Sequence, residues 1–571
     1  MVTQTVAVDT ELLHRRAALA GPSGLKGLAQ NARATSIAVF ASLGGLVYGY
    51  NQGMFGQVLS MHAFSKASGT DGITNATLGG LVTAILELGA WIGVLANGYF
   101  ADKLGRKLSV IGSCLIFGVG VAVQACTRDG NYHYILAGRF VTGIGVGGIS
   151  ILVPLYNAEL APPEIRGALV ALQQVAITFG IMISYWLTYG TNFIGGTGDT
   201  QSNAAWLLPI TLQLVPAFIL AVGMLFMPQS PRWLMDHDRE EECLEVLSSI
   251  RRKEKQNPLI QLEFLELKAQ KLFERRLSLH DYPDLQDDSF KSKFKLQVAQ
   301  YASLVSNPSN RKRTFVAIGI MVGQQWSGIN FVLYYAPFIF KSLNLAGNAT
   351  SLLASGVVGV VQFLATLPSV VYLDKWGRRP MFMLAAILMS LTLFSIAGII
   401  AQFKPRWDAD IRTPATNAAG WGAAVMVWLF AIFFSISLGG GPWVLVSEVF
   451  PLGLRAKGIS VGASSNWLNN FAVAIATPKF VQVAPWGAYI FLGGCSVILA
   501  LWVYFYVPET RGRSLEELDE VFADNSGRSK WEAEQLLQAQ RDVGLLNVAD
   551  IEPTTEKEHS SIDHELKEEK V

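Results

Sequence analysis

The chain has 571 residues, of which 51% are hydrophobic and only 16% charged, and its formal net charge is +1. Soluble domains carry about 25% charged residues, so a water-soluble fold that hides this much apolar surface is excluded. A nucleic-acid partner is not expected either, and what remains is a chain built for a lipid bilayer.

Residues 1–35 hold Arg15, Arg16, Lys26 and Arg33 without the apolar core of a signal peptide, and read as an N-terminal tail. Six apolar segments follow, near 36–56, 78–100, 107–127, 133–156, 167–190 and 205–227. Each is long enough to cross about 30 Å of hydrocarbon as a helix. Residues 228–312 are polar, and Arg239 to Leu247 and Leu262 to Leu277 read there as short amphipathic helices along the membrane surface. A second set lies near 313–340, 352–373, 381–402, 420–447, 457–480 and 486–507. The acidic tail 508–571 is expected to be disordered beyond about 525. The fold class is therefore an all-α membrane protein with 12 transmembrane helices, six in a bundle over 36–227 and six in a bundle over 313–507. Pro154, Pro337, Pro442 and Pro478 interrupt the helical pattern, which bundles tolerate where neighbours satisfy the loosened backbone.

The two sets repeat one another. Asp102-Lys103-Leu104-Gly105-Arg106-Lys107 returns 272 residues later as Asp374-Lys375-Trp376-Gly377-Arg378-Arg379. Glu159 and Arg166 return as Glu448 and Arg455 at an offset of 289, and the string opening at Pro228 returns at Pro508 at an offset of 280. Positive charge gathers in the loops holding Lys103, Arg106, Arg166, Arg379 and Arg455, which places that side, both termini and 228–312 in the cytoplasm. Lys404, Arg406 and Arg412 on the other side weaken the bias. The sequons at Asn75 and Asn348 fall on the non-cytoplasmic side and are candidate glycosylation sites. Asp102, Arg106, Glu159, Arg166, Asp374, Arg379, Glu448 and Arg455 form a candidate gating network, with Arg106 bridging Glu159 and Arg379 bridging Glu448. Parallel six-helix repeats place a cavity between them that is exposed alternately to either side, and such a network would hold the cytoplasmic ends together in one of the two states.

Polar side chains at midspan need partners. Arg139 and Glu87 are the ionised candidates, and Asn51 in Gly49-Tyr50-Asn51 is placed to bond Arg139. The amide and aromatic groups are Gln174, Gln324, Gln325, Asn330, Gln362, Trp443 and Asn466, with Gln325, Asn330 and Tyr334 spaced to approach one helix face. Amides donate and accept while indoles add an apolar face, which suits a neutral polyhydroxylated ring. Gly439-Gly440-Gly441-Pro442 is expected to loosen the tenth span beside Trp443. Cys114, Cys126, Cys243 and Cys495 have no metal or disulfide spacing, and no activated nucleophile or phosphate-cradling string is present. Neither an enzyme nor a metal or cofactor is expected.

On these strings the chain resembles the sugar porter family of the major facilitator superfamily, most of all fungal plasma-membrane hexose and pentose transporters. The resemblance runs over about 36–515 and rests on Gly49-Tyr50-Asn51, the paired loops, Gly138-Arg139, Pro228-Gln229-Ser230-Pro231-Arg232, Gln324-Gln325-Trp326-Ser327-Gly328-Ile329-Asn330 and Pro508-Glu509-Thr510. It implies the major facilitator fold and transport of a monosaccharide such as glucose or xylose by a single chain in the plasma membrane. It also implies sugar contacts at Gln174, Gln324, Gln325, Asn330, Trp443 and Asn466, with Gln362 standing where relatives often have Asn. Asn51 replaces the Asp common in proton-coupled relatives, so facilitated diffusion is expected, with Glu87 as the alternative acceptor if a proton is co-substrate. Gln229 replaces the Glu common in the family. A polyol or quinate transporter and a non-transporting nutrient sensor are the alternative functions.

Overall fold

The computed structural model describes residues 19, 22, 24–69, 76–285, 289–343, 348–409, 411, 413–451, 454–511, 518, 521–522 and 528–546. Asn75, Arg412 and the side chains of Asn348 and Asp374 lie outside the described residues.

Regular structure among the described residues is helical. The first part of the chain forms α1 (Gly24–Gln30), α2 (Ala32–Ala41), α3 (Leu43–Leu59), α4 (His62–Ser68), α5 (Ala76–Leu104), α6 (Arg106–Ala125), α7 (His133–Leu160), α8 (Arg166–Thr191), α9 (Ala204–Leu212) and α10 (Leu214–Met224). The polar segment forms α11 (Pro231–Asp236), α12 (Glu240–Arg251), α13 (Pro258–Asp281) and α14 (Phe290–Ser306). The later part forms α15 (Pro308–Trp326), α16 (Ile329–Ser342), α17 (Asn348–Trp376), α18 (Arg378–Asp408), α19 (Pro414–Ile436), α20 (Gly441–Val449), α21 (Arg455–Val483), α22 (Pro485–Tyr506) and α23 (Arg528–Asp542).

Ten helical segments among the described residues are long and apolar enough to cross a membrane. Two of the expected spans are helical but fall short of that combination of length and apolarity. These are α3, which carries Asn51, Gln52 and Gln57, and α21, which carries Ser464, Ser465, Asn466, Asn469 and Asn470. Their polarity has a structural cause, because both run along the seam between the early and late helices. At that seam α21 packs on α5, α17 on α8 and α16 on α3. On the outer faces, Leu115, Phe218, Leu391, Ile498 and Phe505 are exposed, a belt that suits acyl chains rather than water.

Proline breaks are mended by tyrosines. Pro337 has no N–H for the carbonyl of Leu333, and that oxygen accepts a bond of 2.6 Å from the Tyr185 hydroxyl on α8. Pro478 likewise frees the carbonyl of Ala474, which accepts from the Tyr335 hydroxyl at 2.9 Å. Tyr335 itself sits at a kink in α16, with φ −120° and ψ 16°. The first of these bonds crosses the seam, so a defect in one helix becomes a joint between two parts of the molecule.

The polar segment is more helical than its pattern suggests, because α12 and α13 extend past the expected stretches and α14 joins them. The expectation of disorder beyond about 525 is corrected for part of the tail. Helix α23 places Ala539 in a small core with Phe273 and Leu277, sets the Trp531 ring tilted against His280 with centres 4.1 Å apart, and pairs Asp542 with Arg276.

Candidate functional site

The polar centre is built at a turn. Gly328 adopts φ 103°, a conformation open to glycine, and it separates α15 from α16. Gln324 and Gln325 therefore close one helix while Asn330 opens the next, and the expected single face is corrected to two helices meeting at a corner. Across that corner Asn330 Nδ2 donates to Gln325 Oε1 and, at 2.8 Å, to Asn470 Oδ1 on α21. One turn earlier on α21, Asn466 donates to Gln324 Oε1 at 2.6 Å. Gln324 Nε2 in turn donates to the carbonyls of Leu438 at 2.6 Å and Gly439 at 3.2 Å. Those carbonyls are available because the tenth expected span is interrupted between α19 and α20, as its glycines imply.

The early helices complete the network. Gln52 on α3 donates to Asn330 Oδ1 at 2.8 Å. Glu87 on α5 accepts at both oxygens, from the Tyr334 hydroxyl at 2.7 Å and from Asn470 Nδ2 at 2.9 Å. Asn470 Nδ2 also donates to the Tyr334 hydroxyl at 3.1 Å, which fixes the phenol proton toward Glu87. Trp91 donates to Ser464 at 2.5 Å, and the rings of Tyr48 and Trp467 lie 5.3 Å apart across the seam. Gln174 on α8 is half-buried against the backbone of Gly439 and Gly440, Trp443 is half-buried in the first turn of α20, and Gln362 on α17 is buried with its Oε1 unbonded. The centre thus gathers buried amides whose charge is neutral, with one carboxylate at its edge.

Arg139 and Asn51 do not meet. Arg139 donates to the carbonyls of Val82 at 2.7 Å and Thr83 at 3.1 Å, and its guanidinium lies 3.5 Å from the Phe55 ring. Asn51 donates to Gln213 Oε1 at 2.5 Å. A short neutral amide gains little from a guanidinium already held by two backbone oxygens. Gln52 and Asn470 are network partners beyond the expected contact set, and Tyr334, expected on one face with Gln325 and Asn330, bonds Glu87.

At the charged end, the two loops repeat in three dimensions. Gly105 and Gly377 have φ of 84° and 88° and each is followed by an arginine that begins a helix. Arg106 Nη2 donates to Glu159 at 2.8 Å and Nη1 to Asp102 at 3.4 Å. The later equivalent is Arg378, which donates to Glu448 at 2.8 Å, while Arg379 reaches the Tyr504 carbonyl and lies over the Tyr504 ring at 5.3 Å. The expected Arg379–Glu448 bridge is therefore corrected by one position, because the residue after the left-handed glycine is the one turned toward the acid. Both arginine–glutamate pairs join helices within one repeat rather than across the seam. Glu509 accepts from the backbone N–H groups of Arg378 and Arg379 at 3.0 and 3.1 Å, whereas Gln229 accepts from Lys107 at 3.4 Å. Arg455 is half-buried, and burial, followed by the nearby charge of Arg232, lowers its pKa against the pull of Glu448. Arg166 begins α8 on the same side.

Residues 37–522 match the family model described as sugar (and other) transporter. The chain is 32% identical to a high-affinity glucose transporter of Kluyveromyces lactis, over 86% of this chain and 85% of that one. It is also 32% identical to a quinate permease of Neurospora africana, over 87% of this chain and 90% of that one. Among solved structures it is similar to the proton:xylose symporter of Escherichia coli bound to 6-bromo-6-deoxy-D-glucose, with a TM-score of 0.68, 26% identity, and coverage of 86% of this chain and 99% of that one.

Proposed function

The chain belongs to the sugar transporter family of the major facilitator superfamily, and from that premise we propose how it moves its substrate. It carries hexose and pentose sugars across a membrane by alternating access. In our reading α3 and α21 join the ten apolar segments to give 12 spans in two six-helix bundles, over 36–227 and 313–507. The segment 228–312 and both termini face the cytoplasm, Asn75 and Asn348 face outward as glycosylation acceptors, and a single chain in the plasma membrane is the working unit.

The sugar lies at the corner between α15 and α16, against Gln174, Gln324, Gln325, Asn330, Gln362, Trp443 and Asn466. One observation carries this reading. Buried amides from α15, α16 and α21 converge on one corner, and Gln52 of the early helices reaches Asn330 there across the seam, where alternate opening would expose them to either side. Amides discriminate hydroxyl patterns without paying for the burial of a fixed charge. The paired loops, with Asp102, Arg106, Glu159, Arg166, Asp374, Glu448 and Arg455, brace each repeat at the cytoplasmic end. Arg379 serves there by anchoring to Tyr504.

Quinate is the second reading, favoured by the permease named above. Its carboxylate would call for a cation in the pocket, and the guanidinium of Arg139 is turned to Val82, Thr83 and Phe55. Uptake of labelled glucose, xylose and quinate in a transporter-null cell decides between them. Glucose or xylose uptake is expected; uptake of quinate alone would overturn the sugar reading.

A further inference from the structure

Asn51 removes the titratable group expected in the first span, yet a carboxylate remains at membrane depth. Glu87 is 2% exposed, and an ionised side chain in such a place is costly unless it is matched. It is matched from the other repeat, since both of its oxygens accept bonds from residues 247 and 383 positions away in sequence, Tyr334 and Asn470. The same Asn470 accepts from Asn330, and Asn330 donates to Gln325 and accepts from Gln52. The carboxylate is thus two hydrogen bonds from one proposed sugar contact, Asn330, and three from another, Gln325, and is seated on the surface that must part during transport.

We propose that Glu87 is the proton-binding site of the carrier and that its exchange of partners between a proton and the pair Tyr334 and Asn470 couples one proton to each sugar. The proposal rests on the reading of the chain as an alternating-access sugar carrier. Donors facing both oxygens favour the ionised carboxylate, whereas a protonated carboxyl needs an acceptor for its own O–H. When the repeats close at this level, Tyr334 and Asn470 supply the two donors. When they part, α16 and α21 take both donors away and the carboxylate oxygen takes a proton from hydronium in the facing solution instead, leaving water. Closing returns the donors and the proton leaves to the opposite side as hydronium; nothing is oxidised or reduced. The charged and titratable groups facing Glu87 are Arg139 on α7, Tyr48 on α3 and Tyr334 on α16, with Tyr335 beside Arg139. Arg139 stays with Glu87 on the same side of the seam and bonds the backbone of α5, so it does not substitute for the departing donors. Rearrangement of Asn470 is felt at Asn330 and Gln325, which ties proton exchange to the sugar.

The test uses the purified full chain in liposomes with labelled D-glucose. Counterflow exchange first reports whether the chain carries sugar at all, and its absence from the wild-type protein would fault the transport reading rather than this one. With counterflow present, glucose added to a weakly buffered suspension should raise external pH. An outside medium one pH unit more acidic than the lumen should then drive glucose accumulation of up to about tenfold for one proton per sugar. Glu87→Gln should abolish the sugar-dependent pH change and bring accumulation down to equilibration, with counterflow still above that of empty liposomes. If the Gln variant shows no counterflow, Glu87→Asp is decisive. A shorter carboxylate should keep proton movement but displace the pH profile of uptake, and an unchanged profile counts against the assignment. Wild-type counterflow without proton movement, or proton movement that survives Glu87→Gln, would overturn it.

Discussion

Glu509 and Gln229 occupy equivalent places in the two repeats and do unequal work. The carboxylate of Glu509 accepts from two successive backbone N–H groups at the start of α18, where the helix dipole is positive, while the neutral amide of Gln229 makes one long bond at the start of α6. A negative charge at a helix N-terminus contributes about 0.3–1 kcal/mol. Gln229→Glu should therefore raise the melting temperature of detergent-solubilised protein, whereas Glu509→Gln should lower it. In the pocket, Gln325→Ala removes a neutral hydrogen-bonding group worth about 0.5–1.5 kcal/mol net, so glucose uptake should show a KM raised by roughly threefold to tenfold with the same amount of protein in the membrane. At this scale the sequence was legible as residue types and positions but not as pairs. The tandem arginines at 378 and 379 could not be told apart without the backbone turn at Gly377, and Glu87 meets Asn470 only after 383 intervening steps of chain. Periodicity reports neighbours along one helix and is silent about such partners.

Breaks carry more meaning than runs when whole helices are compared. Twelve segments read as spans in the sequence, and two of them, α3 and α21, fall outside the ten long and apolar helices because their polar side chains face another helix rather than lipid. Their helical character was still readable from position within the repeat. The proline breaks were visible in the sequence, but the hydroxyls that mend them were not. Removing the Tyr185 hydroxyl leaves the Leu333 carbonyl buried without a partner, at a cost of about 1–3 kcal/mol borne only by the state in which α8 and α16 touch. Tyr185→Phe should then shift the population toward separation of these helices, seen as a longer mean distance between fluorophores on the C-terminal ends of α8 and α16. Gly56→Ala should act more strongly. A methyl group there would lie 2.1 Å from the Tyr334 carbonyl oxygen, and a backbone atom cannot swing aside as a side chain can. Uptake should fall by tenfold or more while the protein still reaches the membrane.

For the molecule as a whole, the halves meet through Gln52, Glu87, Trp91 and Tyr185, whereas the arginine–glutamate pairs at the charged end stay within their own repeats. The duplication and its rough boundaries were plain in the sequence because both copies keep their strings at nearly constant offsets. The docking of α23 on α13 was not, since a short helix in an acidic tail declares itself only through Trp531, Leu536 and Ala539, spaced to cover Phe273 and Leu277. Truncation before Arg528 should expose those two side chains and lower the melting temperature of the solubilised protein by a few degrees, on the order of 1 kcal/mol of lost packing, and glucose uptake should persist.

Gln324 has a divided allegiance. Its amide nitrogen spans the Leu438 and Gly439 carbonyls at the gap between α19 and α20, and its oxygen is held by Asn466. Any hydroxyl that recruits this amide draws on donors already committed to stiffening that gap, so ligand affinity and the pliancy of the gap rise together. A tighter-binding sugar would then unlock the joint more fully, and selectivity would be enforced as turnover rather than as occupancy.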